Sequence, residues 1–369
     1  MSLPVSSTSS PQPKSTSSSL PIQDELIVSC FARVPRCDYP SLSLVSKPFN
    51  RLIASPEINL VRSLSQSTEN VLYVALRNNH EQNPVWYTLN QKPNREGSHP
   101  RNHKLVPFPS FPSLPRWGAS VTVVGNEIYV FGGCIDGEIT SNVFVFDSRF
   151  GTSRSLPSMR VARVNAALGV VDGKIYVIGG CKKEVSLDIE VLDVKTQTWE
   201  CFSGLCKEEL LERTVKSLVM KEKIYIMDSA QTFFYDPKTG KWEDDIVLNE
   251  EWRFGSCVID NMLYTFDRCS SKIRIYDPKA NSWTFMKSAE DLPEKVNYFV
   301  GSRMANHGGK LAIVYMNPNF KYGNTEVWYT EIALEKREGK EIWGKVLWTN
   351  LVKTMNYWPT IDHCLDVIV

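Results

Sequence analysis

The sequence predicts an all-β propeller of six blades, preceded by a small domain of three helices. Two recurring elements predict the propeller: an Ile-Tyr strand that twice ends in Gly-Gly, and an Asp-x-Lys-x-x-x-Trp element downstream of it. They return at a period of roughly 40 to 50 residues, which is typical of four-stranded propeller blades. Apolar residues at helical spacing between residues 20 and 53 predict the helical domain.

The length of 369 residues suits one large domain and one small domain. We expect a Ser/Thr/Pro-rich disordered tail over residues 1–19, the helical domain over 20–63 and the propeller over 64–369. With 42 basic and 41 acidic side chains, the net charge of +1 indicates no obligate nucleic acid or acidic membrane partner. The tail lacks the apolar core of a secretory signal, and a plastid transit peptide is the weaker alternative because arginine is absent.

The nine cysteines indicate reduced thiols in the cytoplasm or nucleus, because their number is odd and no C-x-x-C pair occurs. Cys201 and Cys206 are the closest pair, but no histidine lies between residues 104 and 306 to complete a zinc site. We therefore expect no metal and no cofactor.

The helical domain begins after the tail with a helix that presents one apolar face, formed by Leu26, Ile27, Cys30, Phe31 and Val34. Asp38 and Ser46 are candidate caps of two further short helices. We expect Pro35 and Pro56 to lie just past the ends of the first and third helices. So small a core leaves apolar surface uncovered, which indicates either a docking surface or a helical cap on the larger domain.

Several fragments of this segment, in order, resemble the F-box: Leu20-Pro21-x-x-x-Glu25-Leu26, Arg33-Val34-Pro35 and Leu44-Val45-Ser46-Lys47. The stretches Ala54-Ser55-Pro56-Glu57 and Arg62-Ser63-Leu64 resemble the version found in plant kelch-repeat F-box proteins. The resemblance implies docking to a Skp-type adaptor and, through it, to a cullin. The residues expected to bind the adaptor are Leu20, Pro21, Leu26, Ile27, Cys30, Phe31, Val34, Pro35, Leu42, Val45 and Phe49. Cys30-Phe31 departs from the Ile-Leu of many F-boxes but stays apolar.

The repeats are clearest over residues 116–160, 163–204, 213–248 and 253–290. Trp199, Trp242 and Trp283 each follow an Asp by six residues, whereas the first unit has Ser153 at that position. The matching tyrosines are Tyr129, Tyr176, Tyr225 and Tyr264, spaced 47, 49 and 39 residues apart. These motifs resemble kelch repeats, and we expect their glycines and tryptophans to build the scaffold rather than to catalyse.

The two end units are poorly marked, so that five or seven blades are the alternatives to six. A diverged unit comprises Gly308–Tyr315, Thr325–Ile332 and Glu341–Trp348. Strands over Val71–Leu76, Val85–Leu89 and 104–108 precede the first clear unit. We expect Ile361–Val369 to supply the missing inner strand of that unit and close the ring.

The resemblance to an F-box followed by kelch repeats implies a non-catalytic substrate receptor of a ubiquitin ligase. The receptor would capture a protein target that the sequence does not identify. A kelch-fold copper oxidase is less favoured, because the five histidines are not paired at ligand spacing. A kelch scaffold outside any ligase is the other alternative, and the F-box segment argues against it.

Candidate target-binding residues are Arg116, Arg163, Arg213 and Arg253, which precede four inner strands at matching positions, and Trp252. The alternative is that each arginine pairs with acids or carbonyls of an adjacent blade.

Overall fold

The computed structural model describes residues 23–78, 83–91, 103–108, 111–112, 115, 117–181, 188–202, 216–227, 231–252, 255–267, 272–288, 301–337 and 341–369. Contacts between residues divide the chain into two compact units, Met1–Ser67 and Thr68–Val369.

The described part of the first unit is helical. Its elements are α1 (Asp24–Phe31), a 3-10 turn (Arg36–Asp38), α2 (Tyr39–Ser43), α3 (Lys47–Ile53) and α4 (Pro56–Leu64). The helix α4 was not among the three predicted helices, because Pro56 was interpreted as following a helix. Pro56 instead begins α4, where its fixed φ suits the first turn and its missing N–H costs little.

The caps of these helices differ from one another. Ser46 caps α3 as predicted: its Oγ accepts a hydrogen bond from the Phe49 N–H at 3.2 Å. Asp38 precedes α2, but its side chain makes no capping hydrogen bond.

The core of the first unit is small and is tied together by one buried arginine. Its fully buried apolar residues are Ile27, Val28, Phe31, Ala32 and Ile58. Arg62 on α4 is 1% exposed, and its Nη1 donates to Ala32 O at 3.2 Å, Val34 O at 2.9 Å and Tyr39 Oη at 3.0 Å. Arg62 thereby joins α4 to the end of α1 and the turn that follows it.

The second unit is a propeller of six blades. Blade 1 contains β1 (Asn70–Arg77), β2 (Val85–Gln91), β3 (His103–Pro107) and the last strand of the chain, β27 (Thr360–Ile368). Blade 2 contains β4 (Ser120–Val124), β5 (Glu127–Phe131), β8 (Val143–Asp147) and β9 (Thr152–Leu156), with a small hairpin of β6 (Cys134–Ile135) and β7 (Glu138–Ile139) between β5 and β8. Blade 3 contains β10 (Ala167–Val171), β11 (Lys174–Ile178), β12 (Ile189–Asp193) and β13 (Trp199–Phe202).

The remaining blades follow in chain order. Blade 4 contains β14 (Lys216–Met220), β15 (Lys223–Met227), β16 (Thr232–Asp236) and β17 (Lys241–Asp244), and the short helix α5 (Ile246–Glu251) follows it. Blade 5 contains β18 (Cys257–Ile259), β19 (Met262–Asp267), β20 (Lys272–Asp277) and β21 (Ser282–Phe285). Blade 6 contains β22 (Lys287–Ser288), β23 (Arg303–His307), β24 (Lys310–Asn319), β25 (Asn324–Lys336) and β26 (Ile342–Met355).

The ring closes by pairing strands from its two ends, as the sequence predicted. The last strand, β27, runs antiparallel to β1, with Val71 opposite Val367 and a bulge between Ala75 and Leu76. It occupies the innermost position of blade 1, so the strand that closes this blade comes from the other end of the propeller unit.

The glycine pair of blade 2 allows two neighbouring backbones to touch. Gly132 and Gly133 both have positive φ, at 57° and 96°. A Cβ on Gly132 would collide with the carbonyl oxygen of Arg163, and the Gly133 N–H donates to that same oxygen at 2.8 Å. Glycine is needed here because a side chain would prevent this bond between blades 2 and 3.

The repeated tryptophans lie against preceding segments of the chain, with the indole N–H on a carbonyl. Trp199 Nε1 donates to Pro157 O at 2.9 Å, and Trp283 Nε1 donates to Val247 O at 2.8 Å. The Trp199 ring also meets Phe131 of blade 2 edge-on, with centroids 6.2 Å apart. Each tryptophan therefore fills apolar space while its single donor stays satisfied.

Candidate functional site

The predicted adaptor-binding residues of the first unit fall into three groups. Leu26, Cys30, Pro35 and Val45 are exposed, whereas Val34, Leu42 and Phe49 are partly buried. Ile27 and Phe31 are buried in the core of the unit, where Phe31 meets Phe49 with ring centroids 4.8 Å apart. Leu20 and Pro21 lie outside the described residues.

The register of α1 explains this division. Residues four apart share a helix face, so Ile27 and Phe31 point into the core while Leu26 and Cys30 point outward. We therefore interpret the buried pair as support for the exposed residues rather than as a contact surface. The contact with an adaptor remains a prediction for all of these residues.

Three further leucines of this unit are exposed and were not among the predicted adaptor-binding residues. Leu44 lies beside Val45, and both are exposed. Leu60 and Leu64 are four residues apart on α4 and are also exposed. Their spacing is the signal that would have marked them, but it has meaning only once α4 is recognised as a helix.

Of the predicted target-binding arginines, Arg163 alone lies among the described residues; Arg116, Arg213 and Arg253 lie outside them. Arg163 is 1% exposed, and its Nε and Nη2 donate to Glu190 Oε1 at 3.1 and 2.9 Å. Its Nη1 also donates to Gly179 O at 2.7 Å, and its Nη2 to Asp188 O at 3.1 Å. These partners belong to its own blade or the loop within it, so the guanidinium has a structural role and is poorly placed to contact a target.

Trp252 is also buried. It packs with Leu248 and Leu263 in the core shared by blades 4 and 5. Its Nε1 donates to Ser256 Oγ at 2.6 Å. The ring therefore stabilises the packing of blade 5 and offers little surface to a partner.

The end of the propeller at which the innermost strands begin is here called the upper face, and the other end the lower face. The first residues of β14 and β23 are Lys216 and Arg303, so two cations lie where the central channel opens on the upper face. Arg77 at the end of β1 is also on this face, where it forms an ion pair with Asp362.

The pKa shifts of the groups at this opening reflect burial and positive charge. Burial, together with the neighbouring charge of Arg303, lowers the pKa of Lys216 to about 8. Burial likewise lowers the pKa of Arg303. Burial, and then the charges of Lys216, Arg303 and Arg77, lower the pKa of His363 to about 3. The described groups at the opening are thus three cations, Arg77, Lys216 and Arg303, and one acid, Asp362, whose charge opposes the lowering of the pKa of Lys216 and Arg303.

The lower end of the channel contains a cavity of about 630 Å³, whose lining includes Asn70, Val121, Cys257, Asn306, Cys364 and Asp366. The carboxylate of Asp366 is held by Asn70 Nδ2 at 2.5 Å and the Gly308 N–H at 3.3 Å, and lies 2.7 Å from His307 Nδ1. The carboxylate is thus occupied by partners of the propeller itself.

Within the described ranges, no three His, Cys, Asp or Glu side chains are grouped as a metal site. The seven described cysteines are free thiols; Cys206 and Cys269 lie outside those ranges. Among the described helices, none is long and apolar enough to cross a membrane.

Comparison with known proteins identifies both units. Residues 20–60 match the F-box domain family, and residues 86–353 match the FKB95 kelch-repeats domain family. A putative F-box/kelch-repeat protein of Arabidopsis thaliana is 58% identical over 358 residues, which cover 95% of this chain and 92% of that protein. A second F-box/kelch-repeat protein of the same plant is 49% identical over 359 residues, covering 97% and 93%. An F-box joined to a kelch propeller supports a substrate-adaptor role, in which the F-box implies binding to a Skp-type adaptor and the propeller implies a protein interaction.

Proposed function

The chain belongs to the F-box/kelch-repeat proteins, and from this premise we propose that it is the substrate-recognition subunit of a Skp-cullin-F-box ubiquitin ligase. In this proposal the F-box docks the Skp-type adaptor, which links the chain to a cullin. The propeller captures a protein target for ubiquitination and degradation.

The observation that carries this proposal is the exposed apolar surface of the helical unit. Leu26, Leu44 and Val45 expose most of their side chains, although the same unit buries Ile27 and Phe31. Large apolar side chains left exposed on a small domain favour protein association, because their removal from water stabilises the complex. A Skp-type adaptor is the partner that an F-box implies.

The proposal assigns the chemistry of ubiquitin transfer to other subunits. The contribution of this chain is to hold a target near the charged conjugating enzyme, which raises the effective concentration of the target's lysines. The three described histidines all contact side chains of the propeller, and His307 Nδ1 lies 2.7 Å from Asp366 Oδ1. Asn350 Nδ2 lies 3.0 Å from His103 Nδ1, and His363 stacks on Trp86 with ring centroids 6.1 Å apart.

Co-purification tests the proposal. The full chain is expected to co-purify with a Skp-type adaptor and a cullin, whereas a chain lacking residues 1–63 is expected to lose both and keep a folded propeller. Changing Leu20 and Pro21 to alanine is expected to weaken the docking. Undiminished recovery of the adaptor with the truncated chain would overturn the proposal.

The target is identified by affinity purification while the proteasome and the ligase are blocked, so that a captured target is neither modified nor degraded. A protein whose abundance then falls with expression of the full chain, but not of the truncated chain, is the expected outcome. A bound partner whose abundance is unaffected by either chain would favour a scaffold function instead.

A further inference from the structure

Two separate loops on the upper face of the propeller carry four exposed aromatic side chains. They are Phe320, Tyr322, Tyr357 and Trp358, with exposed fractions of 80%, 67%, 37% and 51%. The rings of Phe320 and Trp358 contact each other across the two loops, with centroids 6.3 Å apart and planes inclined by 51°. This group is here called the aromatic patch.

The strands of blade 6 explain why the patch projects from the propeller. The strands β24 and β25 have 10 and 13 residues, whereas the corresponding strands of blade 3, β11 and β12, have five each. The turn between β24 and β25 carries Phe320 and Tyr322 at the tip of this long hairpin. The loop from β26 to β27 carries Tyr357 and Trp358 and leads directly to Thr360, the first residue of an innermost strand.

The patch therefore reaches from the hairpin tip toward the channel opening. Large aromatic side chains are normally removed from water when a protein folds. A group of them left exposed on the surface therefore favours contact with a partner. Tyrosine and tryptophan are also the residues that most often carry the energy of protein interfaces, because they bring large area with few rotatable bonds.

Among the described residues near the patch, lysines outnumber acids. Lys321 Nζ lies 5.2 Å from the centroid of the Tyr322 ring, and Lys353 Nζ lies 4.7 Å from that of Tyr87. Neither lysine forms an ion pair with any described residue. Glu326 is an acid of the same hairpin, and its carboxylate accepts hydrogen bonds from Trp328 Nε1 at 3.0 Å and Asn319 Nδ2 at 3.4 Å. Farther in, Arg303 and Lys216 add positive charge at the channel opening.

We propose that the aromatic patch, with Lys321 and Lys353, binds an acidic peptide segment of the target that also carries an aromatic or large aliphatic side chain. Carboxylates of the segment would pair with the lysines, while its apolar side chain would pack against Phe320 and Trp358. This inference rests on the proposed function, because it assumes that the propeller captures a protein.

A single-stranded nucleic acid is the other polyanion that stacks on aromatic rings. A peptide is favoured because the two lysines lie on separate elements, Lys321 in the turn between β24 and β25 and Lys353 on β26, with the acid Glu326 on β25. A phosphate backbone is instead bound along a continuous row of cations. The chain as a whole is also almost neutral, with a net charge of +1.

Fluorescence anisotropy with defined polymers tests this surface on the full chain. The probe is a labelled random copolymer of glutamate and tyrosine, which supplies both carboxylates and aromatic rings. The comparison probes are a lysine–tyrosine copolymer, polyglutamate and oligothymidine. The glutamate–tyrosine copolymer is expected to bind most tightly, and Phe320→Ala and Trp358→Ala are each expected to weaken it by about tenfold or more.

Phe150→Ala is the matched control, because Phe150 is also exposed and also lies beside a cation, with Arg149 Cζ 4.9 Å from its ring centroid. It belongs to the turn between β8 and β9, on the lower face. This variant is expected to bind the copolymer as the unaltered chain does. Equal affinity of all three variants, or a preference for the lysine copolymer or oligothymidine, would overturn the proposal.

Adaptor binding and the melting temperature, measured on the same variants, separate the two proposals. Both are expected to be unchanged in Phe320→Ala and Trp358→Ala. Copolymer binding without adaptor binding would remove the ligase function and leave the peptide surface standing. If the chain binds the adaptor but the patch variants and Phe150→Ala bind the copolymer with equal affinity, only the proposal of a peptide-binding surface is contradicted.

Discussion

Glu69 and Val369 exchange two backbone hydrogen bonds: Val369 N donates to Glu69 O at 2.8 Å, and Glu69 N donates to Val369 O at 3.0 Å. These residues come from opposite ends of the propeller unit, and their pairing continues the ladder between β1 and β27 to the last residue of the chain. The C-terminal strand therefore closes the ring and lines its channel, so its side chains should determine the stability of the whole unit.

Two isoleucines of β27 test this role of the last strand. Ile361 is 1% exposed and packs between blades 6 and 1, whereas Ile368 is exposed. Ile361→Ala is expected to lower the free energy of unfolding by about 2 to 5 kcal/mol, because it leaves a cavity between two blades. Ile368→Ala is expected to change it by less than about 0.5 kcal/mol. Thermal and denaturant unfolding of the two variants provide the measurement, and equal stability would contradict closure by β27.

Arg163 and Arg160 provide a comparison of a buried and an exposed ion pair in blade 3. Arg163→Ala removes the buried partner of Glu190 and is expected to cost about 3 to 5 kcal/mol. Arg160 has an exposed side chain and bonds Asp188 Oδ2 at 3.0 Å, so Arg160→Ala is expected to cost less than about 1 kcal/mol. If Arg163→Ala has normal stability but no longer captures the target, Arg163 binds the target rather than stabilising the blade.

Arg62 should control the order of the helical unit. Its guanidinium donates to two carbonyls and to Tyr39 Oη, and Arg62→Ala leaves those acceptors without a donor, at a cost of about 1 to 3 kcal/mol. The expected result is faster amide hydrogen exchange in α1 and α4, with the propeller unaffected. Arg51 on α3 is exposed, and Arg51→Ala serves as the control with unchanged exchange. Identical exchange in both variants would rule out this role for Arg62.

The neutral state of His363 predicts an acid-dependent loss of stability. Its pKa falls from about 6.5 in an unfolded chain to about 3 in the folded protein, chiefly through burial. Below pH 6.5 the unfolded chain binds a proton that the folded chain does not, so stability is full above that pH and is lost as the pH falls toward 3. The contribution is at most about 1.4 kcal/mol per pH unit.

His363→Phe retains a ring against Trp86 and removes the titration. Its free energy of unfolding should therefore decline less steeply between pH 6.5 and 4 than that of the unaltered chain. Between pH 7 and 8, the free energies of unfolding of the two proteins should change with pH in the same way. Parallel curves over the acidic range as well would show that His363 is not held neutral.

The repeated elements allowed the propeller to be predicted because each repeat shows its structural role in its residue types. Glycines are required at Gly132 and Gly133, where backbones of two blades touch, and Trp199 and Trp283 each lie where an outer strand packs against a preceding segment. Closure by Ile361–Val369 was predicted by counting strands. Only three strands were predicted ahead of the first clear repeat, and a four-stranded blade needs one more. The helix α4 was missed because a proline can either follow a helix or begin one.

The interaction surfaces were less predictable. A position shared by four repeats places Arg163 correctly in the fold, but its partner Glu190 and the carbonyl of Gly179 become adjacent only in the folded blade. The aromatic patch was also missed, although Phe320 and Tyr322 stand among Asn, Pro and Gly residues between two strands. Aromatic residues in so turn-rich a segment have no neighbours to cover them, which is the signal that would have marked this surface.

The docking of the Skp-type adaptor is tested most directly by calorimetric titration of the purified adaptor into the full chain. The double substitution Leu44→Asp and Val45→Asp places charge on two exposed residues of the helical unit. Ile246→Asp places it on an exposed residue of α5, in the propeller unit. The proposed function predicts binding by the unaltered chain and by Ile246→Asp, and a loss of affinity of about a hundredfold or more for the double variant. No heat of binding with the unaltered chain, or equal affinity of all three proteins, would contradict it.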